Sequence, residues 1–331
     1  MKKIIALILS VVFALGLAGC ERVVEKRESE KITVVLDWTP NTNHTGIFVA
    51  EANGYFEESG IDVEIVQPPE GGAESLVASG KAQFGVSFQD SLAPAFAGDN
   101  PLPITAVAAV VQHNTSGIIS RAGEGMHTPK GLEGKKYATW DMDVEKTTIR
   151  DVMRADGGNF DKVELVPSTV TDEVSALKSG SVDAIWVFYG WAGVACDVAG
   201  LATDYFEFAD IDPVFDYYTP VIVGNNNWLE ENPETAKAFV TALSKGYTYA
   251  VGNPKEAADI LMKAAPELKA NSALVYASQE YLSKEYIADA KRFGEFDAAR
   301  WAAFYNWLND NNLLEEKIDP NGGFTNEYLP D

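Results

Sequence analysis

An α/β protein made of two similar lobes is the fold class the sequence predicts, and three observations predict it. Strand-like and helix-like runs alternate from residue 32 onward, as in sheets covered by helices on both faces. A short pattern of helix, glycine and strand occurs twice: Leu76-Val77-Ala78-Ser79-Gly80 leads into Phe84, and Ala176-Leu177-Lys178-Ser179-Gly180 leads into Ala184. Several strand-like runs end in polar loops that carry aromatic residues, and open α/β sheets hold ligands at the carboxyl ends of their strands.

Residues 32–36 read as the first strand, 47–58 as a helix stopped near Gly60, and 61–66 as an alternating second strand. The segment 73–79 reads as a short helix with Gly80 as its stop, followed by a strand over 84–88. A helix over 90–97 precedes the continuous apolar run 104–111, the pattern of a strand buried on both faces. That run opens into the polar loop Gln112-His113-Asn114-Thr115-Ser116-Gly117. The second series has strands over 137–140, 163–167 and 182–188, with helices over 145–156 and 172–179 between them. Beyond a strand over 221–223 the chain turns helical, over 233–251, 254–264, 272–287 and 297–309. Pro233 and Pro254 suit helix starts, and Pro266 and Gly294 punctuate the set.

The first residues read as a secretory signal: Met1-Lys2-Lys3, an apolar run over 4–17 that is too short to span a membrane, then Ala18-Gly19-Cys20. Leu17-Ala18-Gly19-Cys20 resembles the lipobox of bacterial lipoproteins, which implies cleavage after residue 19 and lipidation of Cys20. Residues 20–30 are charged and suit a flexible tether. With Cys20 lipidated, Cys196 has no partner for an intrachain disulfide, so a hydrophobic core must supply the stability. The 331 residues, 46% of them hydrophobic, suffice for one. A net charge of −23 disfavours nucleic acid and anionic membrane as partners.

Strand ends supply the candidate binding residues. In the first series they are Asp37, Trp38 and His44, then Ser87, Phe88 and Gln89. In the second they are Trp140 and Asp141, then the run Phe188-Tyr189-Gly190-Trp191, of which Tyr189 and Trp191 lie past the strand and are favoured. His113, Thr115 and Ser116 sit in the polar loop between the series, and Tyr218 precedes the return strand. Trp38 is either a flat ligand contact or core, and His44 either a ligand contact or a satisfied loop histidine. Asp37 and Asp141 either accept from an amine or cap the following helix. Trp186 reads as core, His127 as plain surface, and Tyr218 as either site or hinge packing. The loop Pro68-Pro69-Glu70-Gly71-Gly72-Ala73 offers N–H groups to an anion, although Glu70 opposes a dianion. The sequence has no Gly-x-Ser-x-Gly elbow, no His-Glu-x-x-His and no paired-cysteine metal site, so neither a hydrolase nor a metal centre is expected.

The pieces Leu36-Asp37-Trp38-Thr39-Pro40-Asn41, His44, Gly54-Tyr55-Phe56, Gly60-Ile61-Asp62-Val63, Val77-Ala78-Ser79-Gly80, Gly131-Leu132-Glu133-Gly134-Lys135 and Pro233-Glu234 carry a resemblance. Together they are similar to the NMT1/THI5-like solute-binding proteins of ABC transporters, and Asp37-Trp38 with His44 to the branch that handles the thiamine pyrimidine. The resemblance implies a type II periplasmic-binding-protein-like fold, with a ligand cleft between lobes joined by two crossing strands. The crossings would fall near 113–117 and 217–221, giving lobe one as 31–115 plus 221–331 and lobe two as 116–220. It further implies a lipid-anchored protein on the extracytoplasmic face of the cell membrane. Such a protein captures an aromatic pyrimidine of the formylaminopyrimidine or hydroxymethylpyrimidine type and delivers it to an ABC permease and its ATPase. Riboflavin-like heterocycles, alkanesulfonates and nitrate remain open as ligands. The same family name covers eukaryotic synthases of the thiamine pyrimidine phosphate, which carry a cysteine-rich iron motif that this chain lacks. A binder with no cofactor, not an enzyme, is therefore expected.

Overall fold

A computed structural model describes residues 29–168 and 170–331. The signal, Cys20 and most of the tether lie outside the described residues. Among the described residues no helix is long and apolar enough to cross a membrane.

Two five-stranded sheets organise the chain. In the first, β1 (Glu30–Val35) pairs in parallel with β2 (Ile61–Val66) and β3 (Phe84–Ser87). The return strand β10 (Val221–Asn225) runs antiparallel between β3 and β4 (Ile104–Ala109). The second sheet repeats the plan. There β6 (Lys136–Thr139) lies in parallel between β7 (Glu164–Pro167) and β8 (Ala184–Phe188). Strand β5 (Ser116–Arg121) is antiparallel to both β8 and β9 (Thr203–Glu207). In each sheet the fourth strand in order is the first one formed after the chain arrives from the other sheet. The chain makes that passage between Ala109 and Ser116 and again between Glu207 and Val221.

Local chemistry explains where this differs from the sequence reading. The helix expected over 47–58 is two, Thr45–Ala52 and Tyr55–Glu58. Gly54 separates them at φ 74, a left-handed conformation that costs glycine little and other residues more. Strands β5 and β9 were not expected, because each mixes polar and apolar residues over only five or six positions. Gly117 belongs to β5 and not to a loop: it pairs with Val187 and Glu207, and a Cβ there would overlap the Phe206 carbonyl.

The sequence after β10 forms helices that pack back on the first sheet. The helix Pro233–Gly252 carries Phe239, whose ring stacks on Phe84 of β3 at 4.0 Å and on Phe56 at 5.3 Å. The helix Ala298–Asp310 begins at Asp297, whose side chain accepts from the Arg300 N–H at 2.8 Å. Its Phe304 stacks on Tyr217 at 4.0 Å. The last residues run along the outer edge of β4, where Phe324 bridges Ala106.

Candidate functional site

Apolar side chains fill both sheets, so large aromatics left in solvent stand out. Trp38, just past β1, is 66% exposed, and Trp140, just past β6, is 45% exposed. Phe188, the last residue of β8, and Met142 are also exposed. All lie at or beyond the carboxyl ends of parallel strands. The loop after β1 and the turn after β8 meet at Ser278: its hydroxyl donates to the Gly190 carbonyl and lies 2.6 Å from the Thr42 hydroxyl. One mouth is thus lined from both sheets.

Carboxylates stand at the end of β3, the strand next to β1. Ser87, ending β3, donates to Glu74 Oε1 at 2.5 Å. Asp90 lies three residues on, in the first turn of the helix Gln89–Phe96. Its Oδ1 is shielded from solvent and has no hydrogen-bond partner. Burial pushes the Asp90 carboxyl up to about 6, the nearby Glu74 adding to the effect and the N–H groups of Asp90 and Ser91 opposing it. Asp141, at φ 65, is exposed and pairs with Lys146 at 3.1 Å. The capping role considered for Asp141 falls instead to Glu145, which accepts from the N–H groups of Trp140 and Met142.

Other candidates are committed to internal bonds. His44 is fully buried: Nε2 donates to Asp37 Oδ1 at 2.5 Å, and Nδ1 accepts from the Asn41 N–H at 3.2 Å. Those partners fix the Nε2–H tautomer and hold the loop that presents Trp38. Asn41, not Asp37, caps the next turn by accepting from the Asn43 N–H at 2.9 Å. Gln89 is buried, donating to the Trp301 carbonyl and accepting from the Tyr218 N–H, both at 2.9 Å. Phe88 is half-buried where that helix begins. The Thr115 carbonyl accepts from the Tyr189 N–H at 2.9 Å and the Tyr205 hydroxyl at 2.7 Å. Ser116 is buried in β5, its hydroxyl unpartnered.

His113 and Tyr218 occupy a corner where the two crossings meet the C-terminal segment. His113 bonds Asp216 Oδ2 at 2.8 Å through Nδ1 and Asp289 Oδ1 at 2.9 Å through Nε2. Chiefly the Asp216 bond pushes the imidazole up to about 9. Arg300 donates to Asp216 at 2.9 Å and lies 4.1 Å over the Tyr218 ring, whose hydroxyl accepts from the Asp297 N–H at 2.7 Å. A cavity of about 510 Å³ opens beside this corner.

Tyr189 and Trp191 lie in the turn Tyr189–Gly193 that packs on the helix Ser272–Glu285. Tyr189 donates to Asp197 at 2.7 Å, with its ring 4.8 Å from Tyr205 and 5.4 Å from Tyr281. Trp191 packs against the cluster containing Leu261 and Met262. Trp186 is buried beside Phe208 at 4.3 Å, as expected of core. Glu74 and Asp90 were not singled out from the sequence. The strand-end rule that selected Ser87 and Tyr189 covers Asp90 equally, whereas Glu74 comes to the end of β3 only because its helix packs beside that strand.

The family model described as "NMT1/THI5 like" matches residues 41–257. The chain is 30% identical to the formylaminopyrimidine-binding protein of Halalkalibacterium halodurans, over 98% of each chain. It is 24% identical to the 4-amino-5-hydroxymethyl-2-methylpyrimidine phosphate synthase THI13 of Saccharomyces cerevisiae, over 91% of this chain and 88% of that one. Among solved structures, the periplasmic aliphatic sulphonate binding protein SsuA from Escherichia coli superimposes with a TM-score of 0.68 at 14% identity, over 91% of this chain and 92% of that one. The doubled sheet plan is accordingly the periplasmic-binding-protein fold, and the chain belongs to the NMT1/THI5-like family.

Proposed function

We propose that this protein is the extracytoplasmic solute-binding component of an ABC importer and that its ligand is an aminopyrimidine precursor of thiamine, of the formylaminopyrimidine or hydroxymethylpyrimidine type. The observation that carries this reading is the set of strand ends: Trp38, Trp140 and Phe188 stand exposed at the ends of β1, β6 and β8, and Glu74 and Asp90 stand by the end of β3. A flat heterocycle needs aromatic faces and a few directed polar groups. An amino group needs acceptors, which carboxylates supply. Sulfonate and nitrate fit worse, because the helix beside the Pro68–Ala73 loop carries Glu74 in its first turn. Similarity across 98% of the formylaminopyrimidine-binding protein supports the same choice.

Lobe one comprises 31–115 plus 221–331 and lobe two 116–220, with the ligand held where the strand ends of the two lobes face each other. Residues 1–19 act as a signal and 20–30 as a tether, with Cys20 carrying the lipid and an ABC permease with its ATPase as partners. The ligand is bound and released unchanged. His44 supports binding over chemistry, since both its nitrogens are already bonded.

A thermal-shift panel tests this, because a ligand that binds only the folded state raises its melting temperature. Pyrimidine precursors are expected to raise it, with riboflavin, taurine and nitrate leaving it unchanged. A shift with taurine or nitrate alone would overturn the assignment.

A further inference from the structure

We propose that Glu145 is the positioning residue for Trp140: it fixes the loop after β6 in the conformation that presents the Trp140 ring to the ligand, the task His44 performs for Trp38 in the other lobe. The inference rests on the binding function proposed above and adds to it a residue that touches no ligand itself.

The doubled fold supplies the comparison. Strands β1 and β6 hold the same place, second in the order of their sheets, and each pairs in parallel with the strands on both sides. Each is followed by a loop with an exposed tryptophan, Trp38 or Trp140. Each loop leads to a helix, Thr45–Ala52 in one lobe and Asp143–Ala155 in the other. From the start of each helix one buried side chain reaches back into the loop. In lobe one it is His44, bonded to Asp37 and to the Asn41 N–H. In lobe two it is Glu145, which is 2% exposed.

Glu145 gathers its loop more completely than His44 does. Its carboxylate accepts from the Trp140 N–H at 3.1 Å and from the Met142 N–H at 3.3 Å. The N–H between them, that of Asp141, donates to the Thr139 hydroxyl at 2.9 Å, and that hydroxyl donates to Glu145 at 3.0 Å. The Tyr137 hydroxyl donates as well, at 2.6 Å. The three successive N–H groups of residues 140–142 thus end, directly or through Thr139, on one carboxylate. Asp141 stands at φ 65, a left-handed conformation that a residue with a side chain keeps only where its surroundings impose it. Among the described residues no Lys, Arg or His pairs with Glu145, so these donors alone offset the cost of burying it. A side chain that merely filled this space would not have to be an acid. One that collects N–H groups does, because a carboxylate accepts at both oxygens and donates at neither. The ring so placed has its centre 5.7 Å from that of Trp186, at the edge of the lobe-two core.

The test is a double-mutant cycle read by calorimetric titration with 4-amino-5-hydroxymethyl-2-methylpyrimidine. Glu145→Gln keeps the size of the side chain but turns an NH2 group against N–H donors, and is expected to weaken binding by about 3- to 10-fold. Trp140→Ala is expected to weaken it by about tenfold. Because Glu145 acts through Trp140, adding Glu145→Gln to Trp140→Ala is expected to cost less than about twofold more. Thr139→Val keeps the shape of its side chain and removes only the hydroxyl link. It is expected to weaken binding too, to lose that effect in the Trp140→Ala background, and to decide the matter if Glu145→Gln does not fold. Losses that multiply in the double variants overturn the assignment. A merely structural role would lower the melting temperature and leave the affinity of the folded protein unchanged, which overturns it as well. Undiminished affinity in Trp140→Ala overturns this assignment alone, whereas an unaltered protein that does not bind the pyrimidine overturns the proposed ligand and this assignment together.

Discussion

The mouth and the crossing corner hold similar residue types in opposite states. At the corner His113, Asp216, Asp289 and Arg300 bond one another at 2.8 to 2.9 Å, and the Arg300 guanidinium lies over the Tyr218 ring. At the mouth Trp38 and Trp140 have faces turned to solvent, and at the end of β3 Asp90 keeps an oxygen without a partner. The corner holds a cavity of about 510 Å³ and a histidine pushed up to about 9, yet most of its polar groups are bonded within the corner, the shielded Arg300 Nε alone standing there without a partner among the described residues. The mouth has kept its aromatic faces free for a ligand. What separates a site from a brace is the unused capacity of its groups and not their type.

Three variants probe this contrast, the strongest first. His44→Ala deletes a buried ring that bonds both Asp37 and the Asn41 N–H, and should cost about 3 kcal/mol of stability in a urea titration. A cost below about 1 kcal/mol would mean that His44 does not brace the loop. Asp90→Asn should act in the opposite direction. With the folded carboxyl raised from the usual 3.8 to about 6, the protein loses stability as pH rises through that window, and the loss is complete above it. The amide removes that penalty, so the variant should gain about 1 to 2 kcal/mol at pH 7. A destabilised variant would show that Asp90 holds the fold.

The smallest effect is at the corner. Because His113 is raised from 6.5 to about 9 when folded, its contribution is complete below pH 6.5 and fades as pH rises through 9. Its side chain is a third exposed, so solvent screening reduces the contribution to about 1 kcal/mol. Stability measured at pH 7 and pH 9.5 should fall by that amount in the unaltered protein and stay level in His113→Gln.

Much of the fold was legible because strands buried on both faces spell continuous apolar runs, as in 104–111. Strands β5 and β9 were not, since short antiparallel strands that mix Ser, Gly, Asp and Tyr carry no clean period. Within the site, the strand-end rule found Trp38 and Trp140 but gave the same weight to Gln89, Tyr189 and Trp191. Only packing decides among these. Gln89 is drawn inward by the Trp301 carbonyl, and Trp191 by the C-terminal helices, whose placement no local pattern encodes. Glu74 was invisible for the complementary reason, being a helix residue that tertiary contact turns towards Ser87.

The most direct test of an aromatic mouth sets Trp38 against Trp191, two tryptophans the sequence could not separate. Calorimetric titration with 4-amino-5-hydroxymethyl-2-methylpyrimidine should show Trp38→Ala losing about tenfold or more in affinity with little change in melting temperature, because that side chain is 66% exposed. Trp191→Ala should melt earlier and keep its affinity within about threefold, since its ring is spent on packing. Affinity that survives in Trp38→Ala and collapses in Trp191→Ala would contradict the mouth as the binding site.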